Sequence, residues 1–195
     1  MKNTNYYKGF IHPVLVSVLF LFTNCTEPPI EKVTSLQIDL HDCESKGAKV
    51  FAQEEYNQVT MKMVELDNFM NQRKYKKADI LADTIVIDIN ILKATLDTNG
   101  KETGNKGLAV IYEKLDTLKA LLIPENYKRI STYERQNYDL KYGKYKARAS
   151  ELKKDLESSA FQRVYNGTKA LESEITQSTE KFRQRMEQTG KITKK

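Results

Sequence analysis

The stretch KKADILADTIVIDINILKATLD, residues 76–97, decides the fold class. Ala78, Leu81, Ala82, Ile85, Ile89, Leu92 and Leu96 recur at steps of three and four, the spacing of one face of an α-helix. Ile80, Ile87 and Ile91 form a second stripe beside the first, which predicts a central helix packed on both sides. The β-branched run around Val86 would also suit a strand. The periodic segment is too long for one, and Asp79, Asp83 and Asn90 keep helical spacing.

The neighbouring segments extend the pattern. Upstream, Leu36, Leu40, Ala48, Ala52, Val59, Met63, Leu66 and Met70 form one stripe, which predicts a first helix over residues 35–72, loosened near Gly47. Thr34-Ser35-Leu36-Gln37 resembles a capping box that would start it. Downstream, residues 99–107 hold Gly100, Gly104, Gly107 and two Asn, which predicts a loop. A third helix then follows over residues 108–122, with Leu108, Ile111, Leu115, Leu118 and Leu122 inward, and Pro124 ends it. Helical pattern resumes to Tyr142, with a break at Gly143. It continues through Ala149, Leu152, Leu156 and Ala160, then Leu171, Ile175, Phe182 and Met186. Asn166-Gly167 marks a turn or a weak point, and Gly190 closes the last helix. The expectation is an all-α domain over residues 35–195, an antiparallel bundle of about four or five helices.

Composition agrees. The chain has 195 residues, four Pro, no Trp and 30% charged residues, and only Pro124 interrupts the body, which favours long helices. Charge is uneven. Residues 25–123 hold 13 Lys and Arg against 16 Asp and Glu, and residues 124–195 hold 17 against 10. A basic C-terminal half suits anionic lipid, glycan or nucleic acid, but a solvated helix face of mixed sign accounts for it more simply. An exported protein has no nucleic acid to meet, so that partner class is set aside.

A two-copy hairpin repeat is also expected, over residues 47–98 and 124–165. Tyr56 precedes Tyr75 by 19 residues, and Tyr127 precedes Tyr145 by 18, each pair reading as helix, tight turn, helix. The arrangement resembles tetratricopeptide hairpins, although those repeat about every 34 residues and their full signature is missing. Gly47-Ala48, Phe51-Ala52, Glu54-Glu55-Tyr56 and then Lys74-Tyr75-Lys76-Lys77-Ala78 with Ala82 resemble the domain of unknown function 4398 family over about residues 45–95. The resemblance implies a small helical envelope protein, often a lipoprotein, with no agreed activity. Gln53 stands where that family usually has Pro, and no OmpA-like peptidoglycan-binding domain is visible.

The N-terminus points to export. Lys2 and Lys8 precede an apolar run over residues 10–22, too short to span a bilayer, and no acid occurs before Glu27. Leu21-Phe22-Thr23-Asn24-Cys25 resembles the relaxed lipoboxes of spirochaete lipoproteins, with Asn24 and Phe22 departing from the strict pattern. The resemblance implies cleavage after residue 24, lipid on Cys25, a tether over residues 25–34 and a net charge that falls from +6 to +4. A lipid carrying two or more chains anchors stably. Thr26 is not the Asp that would retain the protein at an inner membrane, so the outer membrane is expected, on its periplasmic or external side.

Chemistry beyond the anchor is sparse. With Cys25 lipidated, Cys43 has no partner in the chain. It is a buried small hydrophobe, a free thiol or one half of an intermolecular disulfide, and its spacing from Leu36 and Leu40 favours burial. His41 and Glu44 would share one helix face and Asp39 and Cys43 another, so no local metal set and no Cys–His nucleophile forms. No catalytic, metal or cofactor residues are assigned. Tyr127, Tyr133, Tyr138, Tyr142 and Tyr145, interleaved with cations, are candidates for a groove that takes glycan or peptide. Core tyrosines with wet tips are the plainer reading. The expected function is a lipid-anchored interaction or structural module with an envelope protein or glycan partner. The alternatives are an accessory of a cell-wall enzyme and a surface adhesin.

Overall fold

In a computed structural model that describes residues 27–192, the quoted stretch belongs to one helix that runs on without a break to Leu121. In chain order the helices are α1 (Ile30–Ser45), α2 (Ala48–Phe51), α3 (Gln53–Asn71), α4 (Tyr75–Leu121), α5 (Pro124–Tyr127), α6 (Thr132–Glu157) and α7 (Phe161–Ile192). No strand occurs among the described residues, so the all-α expectation holds. The 47 residues of α4 extend for about 70 Å, and every other long helix packs on it.

The first half of α4 forms a three-helix bundle with α1 and α3. Lys32 meets Asp79 at 2.6 Å and Lys93 meets Asp39 at 2.8 Å, so α1 runs parallel to α4. Lys62 meets Asp88 at 2.7 Å and Thr95 donates to Glu55 at 3.2 Å, so α3 runs back antiparallel. The second half of α4 forms another three-helix bundle with α6 and α7. Here Arg148 on α6 meets Glu174 on α7 at 2.6 Å, and Lys114 meets Glu172 at 3.6 Å. These partly exposed pairs mark the register and each contributes little energy. The apolar interior does the holding, from Val33, Leu36 and Leu66 at one end to Leu171 and Ile175 at the other.

The expected loop over residues 99–107 is helix. Gly100, Gly104 and Gly107 lie at steps of four and three on the buried side of α4, beneath the α6–α7 turn. A Cβ on Gly100 would stand 2.4 Å from the Phe161 ring, one on Gly104 2.5 Å from Leu156, and one on Gly107 2.9 Å from Thr168. The glycines serve close packing here, not chain reversal. From Leu92 to Leu108 the buried positions advance by unbroken steps of four. Each such step turns the buried stripe about 40° round the helix. The second bundle therefore packs on a different side of α4 from the first.

Other expectations are corrected. The single helix over residues 35–72 is two antiparallel helices. Gly47, in the left-handed region at φ 98°, and Ala52 break it, and α2 bridges the corner. The apolar stripe continues through the reversal because both arms face the same core. Helix α1 starts at Ile30 behind Pro28 and Pro29, so Thr34 lies inside it and residues 30–34 are not tether. The described capping box sits instead at the start of α6, where Ser131 and Glu134 exchange hydrogen bonds at 2.9 and 3.2 Å. Gly143 and Asn166-Gly167 are helical, and α7 runs through Gly190 to Ile192. Tyr145 consequently lies within α6 and follows no turn, so residues 124–165 do not repeat the hairpin of residues 47–98. The second stripe of α4 does not pack either: Ile80, Ile87 and Ile91 are 61%, 61% and 52% exposed, because α1 and α3 both lie on the opposite face.

Two substitutions separate close packing from helix propensity. Gly143 has open space around it, so Gly143→Ala should raise stability by about 0.5–1 kcal/mol. Gly100→Ala gains the same propensity but forces Phe161 to move, and should lower stability by about 1–2 kcal/mol. Urea unfolding followed by circular dichroism measures both, and equal gains would show that the seam is not tight.

Candidate functional site

The five candidate tyrosines lie towards the end of the molecule remote from the start of α1, and they do not form one groove. Tyr138, Tyr142 and Tyr145 precede Ala149, Leu152 and Leu156 at steps of four and three, and together these six make the inward stripe of α6. Tyr138 meets the Phe182 ring edge-on with centroids 4.9 Å apart, an arrangement favoured by the ring quadrupoles. The Tyr145 hydroxyl donates to the Glu174 carbonyl at 3.4 Å. Tyr142 is half-buried against the core. Tyr127 belongs to α5, where its hydroxyl donates to Asp139 and Arg135 stacks over its ring at 4.8 Å. Partial burial, then the hydrogen bond to Asp139, raises its pKa above the ordinary tyrosine value. Tyr133 stands alone, 77% exposed. The residues named for a groove thus divide into helix-packing tyrosines, a surface Tyr–Asp–Arg cluster and one solvated ring.

Glu134 fastens this end. It caps α6 through Ser131 and reaches Arg185 on α7 at 2.9 Å. The Ser131 backbone N–H, then the Ser131 hydroxyl and Arg185, hold its carboxyl below the usual range.

Shallow clefts lie at helix junctions. One of about 300 Å³ opens beside Cys43 and is bordered by Asp42, Lys46, Lys93, Asp97 and Phe161. Its charges are already paired: Lys46 with Asp42 at 2.7 Å, Lys93 with Asp39 at 2.8 Å and Asp97 with Lys101 at 2.7 Å. Cys43 itself is 1% exposed, a free thiol under α4, as its spacing predicts. Burial is the main cause that pushes its pKa up, against a smaller opposing effect of Lys93, so it is a poor nucleophile at neutral pH. A second cleft, about 370 Å³, lies between α6 and α7 near Arg148, Asp155 and Arg163. Its guanidinium groups are engaged with Glu174 at 2.6 Å and Asp155 at 3.3 Å. A third, about 270 Å³, is bordered by Phe51, Asn99 and Lys106, and there Asn99 donates to the Phe51 carbonyl at 2.7 Å. Among the described residues no group of three His, Cys, Asp or Glu side chains could hold a metal. Cys25, the lipid-site candidate, lies outside the described residues.

The opposite end of the molecule carries charge that sequence reading passed over. The α3–α4 turn and the first turn of α4 hold Arg73, Lys74, Lys76 and Lys77, all exposed. The run was visible in the sequence, but only the fold sets it beside the start of α1. No helix among the described residues is long and apolar enough to cross a membrane. Compared with family models, curated proteins and solved structures, the chain matches none.

The buried thiol gives a direct check of the core. In a chain carrying Cys25→Ser, Cys43 should react with a disulfide reagent on the order of a hundredfold or more slower than a free thiol, and at full rate in urea. Fast reaction in the native protein would mean that α1 does not stay seated on α4.

Proposed function

We propose that this protein is an exported lipoprotein, anchored through Cys25 at a bacterial envelope membrane, whose helical rod is a non-catalytic interaction or structural module. The observation that carries the reading is Cys25 itself, a thiol directly behind a short apolar segment with a basic start. Helix α1 begins at Ile30, so the folded domain follows the modification site within five residues. The resemblance of residues 45–95 to a helical envelope family agrees with this placement.

The non-catalytic part of the reading draws on the clefts. They are open and shallow, and the charged groups that border the first, with Arg148, Asp155 and Arg163 at the second, are tied into ion pairs. An enzyme site needs convergent ionisable groups with unsatisfied partners. A shared helix of about 70 Å instead gives two bundles a stiff connection, which suits holding a partner at a distance from an anchored end.

Metabolic labelling with a fatty acid tests the anchor. The wild-type chain should take up label and fractionate with membranes, while Cys25→Ala should lose both. Label that survives the substitution, or its absence from the wild type, would remove the basis of the proposal. Capture of the native protein from detergent extract should then recover a specific envelope partner.

A further inference from the structure

The outer face of α4 in the first bundle differs from the other surfaces. Ile80, Thr84, Ile87, Ile91, Ala94 and Thr98 follow one another at steps of four and three, and all six are exposed. No charged residue interrupts this line over its roughly 27 Å. Lys76 and Lys77 precede Ile80 by four and three residues, so the same face begins with two cations. The flanking acids Asp79 and Asp83 are held by Lys32 at 2.6 and 2.8 Å, and Asp88 by Lys62 at 2.7 Å.

The turn that leads into this face adds two more cations. Arg73 sits at φ 55°, in the left-handed region where glycine is favoured. The turn closes with Lys74 N–H on the Phe69 carbonyl at 2.9 Å and Arg73 N–H on the Met70 carbonyl at 3.0 Å. A bulky cation therefore occupies a position that is unfavourable for its backbone, which points to a use for its side chain. Lys77 lies over the Phe69 ring at 5.9 Å, while Arg73, Lys74 and Lys76 meet no carboxylate among the described residues. Glu27, just before α1, and Glu31, in its first turn, leave the four cations in excess.

Position completes the case. The ion pairs of Lys32 set the start of α1 beside the start of α4, so this basic turn shares its end of the molecule with the start of α1, five residues after Cys25 in the sequence. Residues 25–29 span at most about 17 Å even when fully extended. Apolar side chains on one helix face, with Lys and Arg at its margin, form an interfacial membrane-binding surface.

We infer that the outer face of α4 lies on an anionic lipid surface, with Ile80, Ile87 and Ile91 at the headgroup–acyl boundary and Arg73, Lys74, Lys76 and Lys77 on lipid phosphates. This rests on the proposed envelope location for its biological setting, but the contact itself needs no lipid on Cys25. The first bundle then lies along the membrane beside its anchor. The second bundle, packed on another side of α4, stays free for a partner.

The test uses the full chain with Cys25→Ser, so that no lipid is attached, and Thr84→Cys labelled with a polarity-sensitive fluorophore. Vesicles of phosphatidylglycerol and phosphatidylcholine should shift the emission to the blue, and phosphatidylcholine alone or high salt should largely prevent the shift. Each cation near an anionic surface is worth roughly fivefold, so replacing Arg73, Lys74, Lys76 and Lys77 by Gln should weaken the response by at least about a hundredfold. Ile87→Gln with Ile91→Gln should weaken it by about tenfold or more. The residues before Cys25 are common to all these chains, so the differences report on α4, and circular dichroism confirms that each variant is folded. An unchanged spectrum with anionic vesicles overturns the inference, as does an equal shift with neutral ones. A shift that grows with protein concentration without vesicles also overturns it, because a second copy then covers the face. Fatty-acid labelling of the wild-type chain judges the anchor separately.

Discussion

The close approach of Phe161 and Leu156 to Gly100 and Gly104 is the contact on which the rest of the structure depends. It lets the α6–α7 turn sit directly on the backbone of α4, where any side chain would hold it off. From there α7 can run parallel to the second half of α4 and α6 antiparallel to it. Phe161 also packs against Phe51, with ring centroids 6.3 Å apart, and Tyr165 lies 5.7 Å from the same ring. Since Phe51 belongs to the corner between α1 and α3, the glycine seam is also where the two bundles meet. Asn99, one residue before it, bonds the Phe51 carbonyl and ties that corner to α4.

A single helix shared by two bundles makes a long object with two dissimilar ends. At one end are the start of α1, the basic α3–α4 turn and the uncharged outer face of α4. At the other are the Tyr127–Asp139–Arg135 cluster and the Glu134–Arg185 link, remote from the start of α1. The proposed role follows from this division. In that proposal one end would meet a membrane and the other would be presented to an envelope partner. The described cations over residues 124–192 lie mostly on exposed helix surface, and Arg135, Lys141, Arg148, Arg163, Lys169 and Arg185 among them are engaged by acids or rings.

Helical content was legible because buried positions on α4, α6 and α7 keep steps of three and four, a local consequence of helix geometry. The burial of Cys43 was legible for the same reason. The two largest misreadings concern Gly100–Gly107 and Gly47. Both segments contain glycine, which suits a turn and a close helix contact equally well. At Gly47 the chain does reverse, and at Gly100 it does not, because Phe161 packs there. The spacing of Gly100, Gly104 and Gly107 on one face was the available signal for the second outcome. Likewise, the stripe Ile80–Ile87–Ile91 was legible as apolar, but its exposure was not. Periodicity shows that a face is apolar and not whether another helix covers it. The candidate groove had the same weakness. Tyr138, Tyr142 and Tyr145 share a face by spacing, and only packing shows that this face is the core.

What the sequence determined by itself is therefore local: the helical character of nearly every segment, the inward stripes, the burial of Cys43 and the lipobox-like setting of Cys25. Tertiary structure decided which glycines turn the chain, that α4 is one helix serving two bundles, which apolar stripe stays uncovered, and that the basic turn lies beside the start of α1. The physical reason is that helix periodicity is set by hydrogen bonds four residues apart, whereas covering a face depends on side chains such as Phe161 that arrive from 60 residues away.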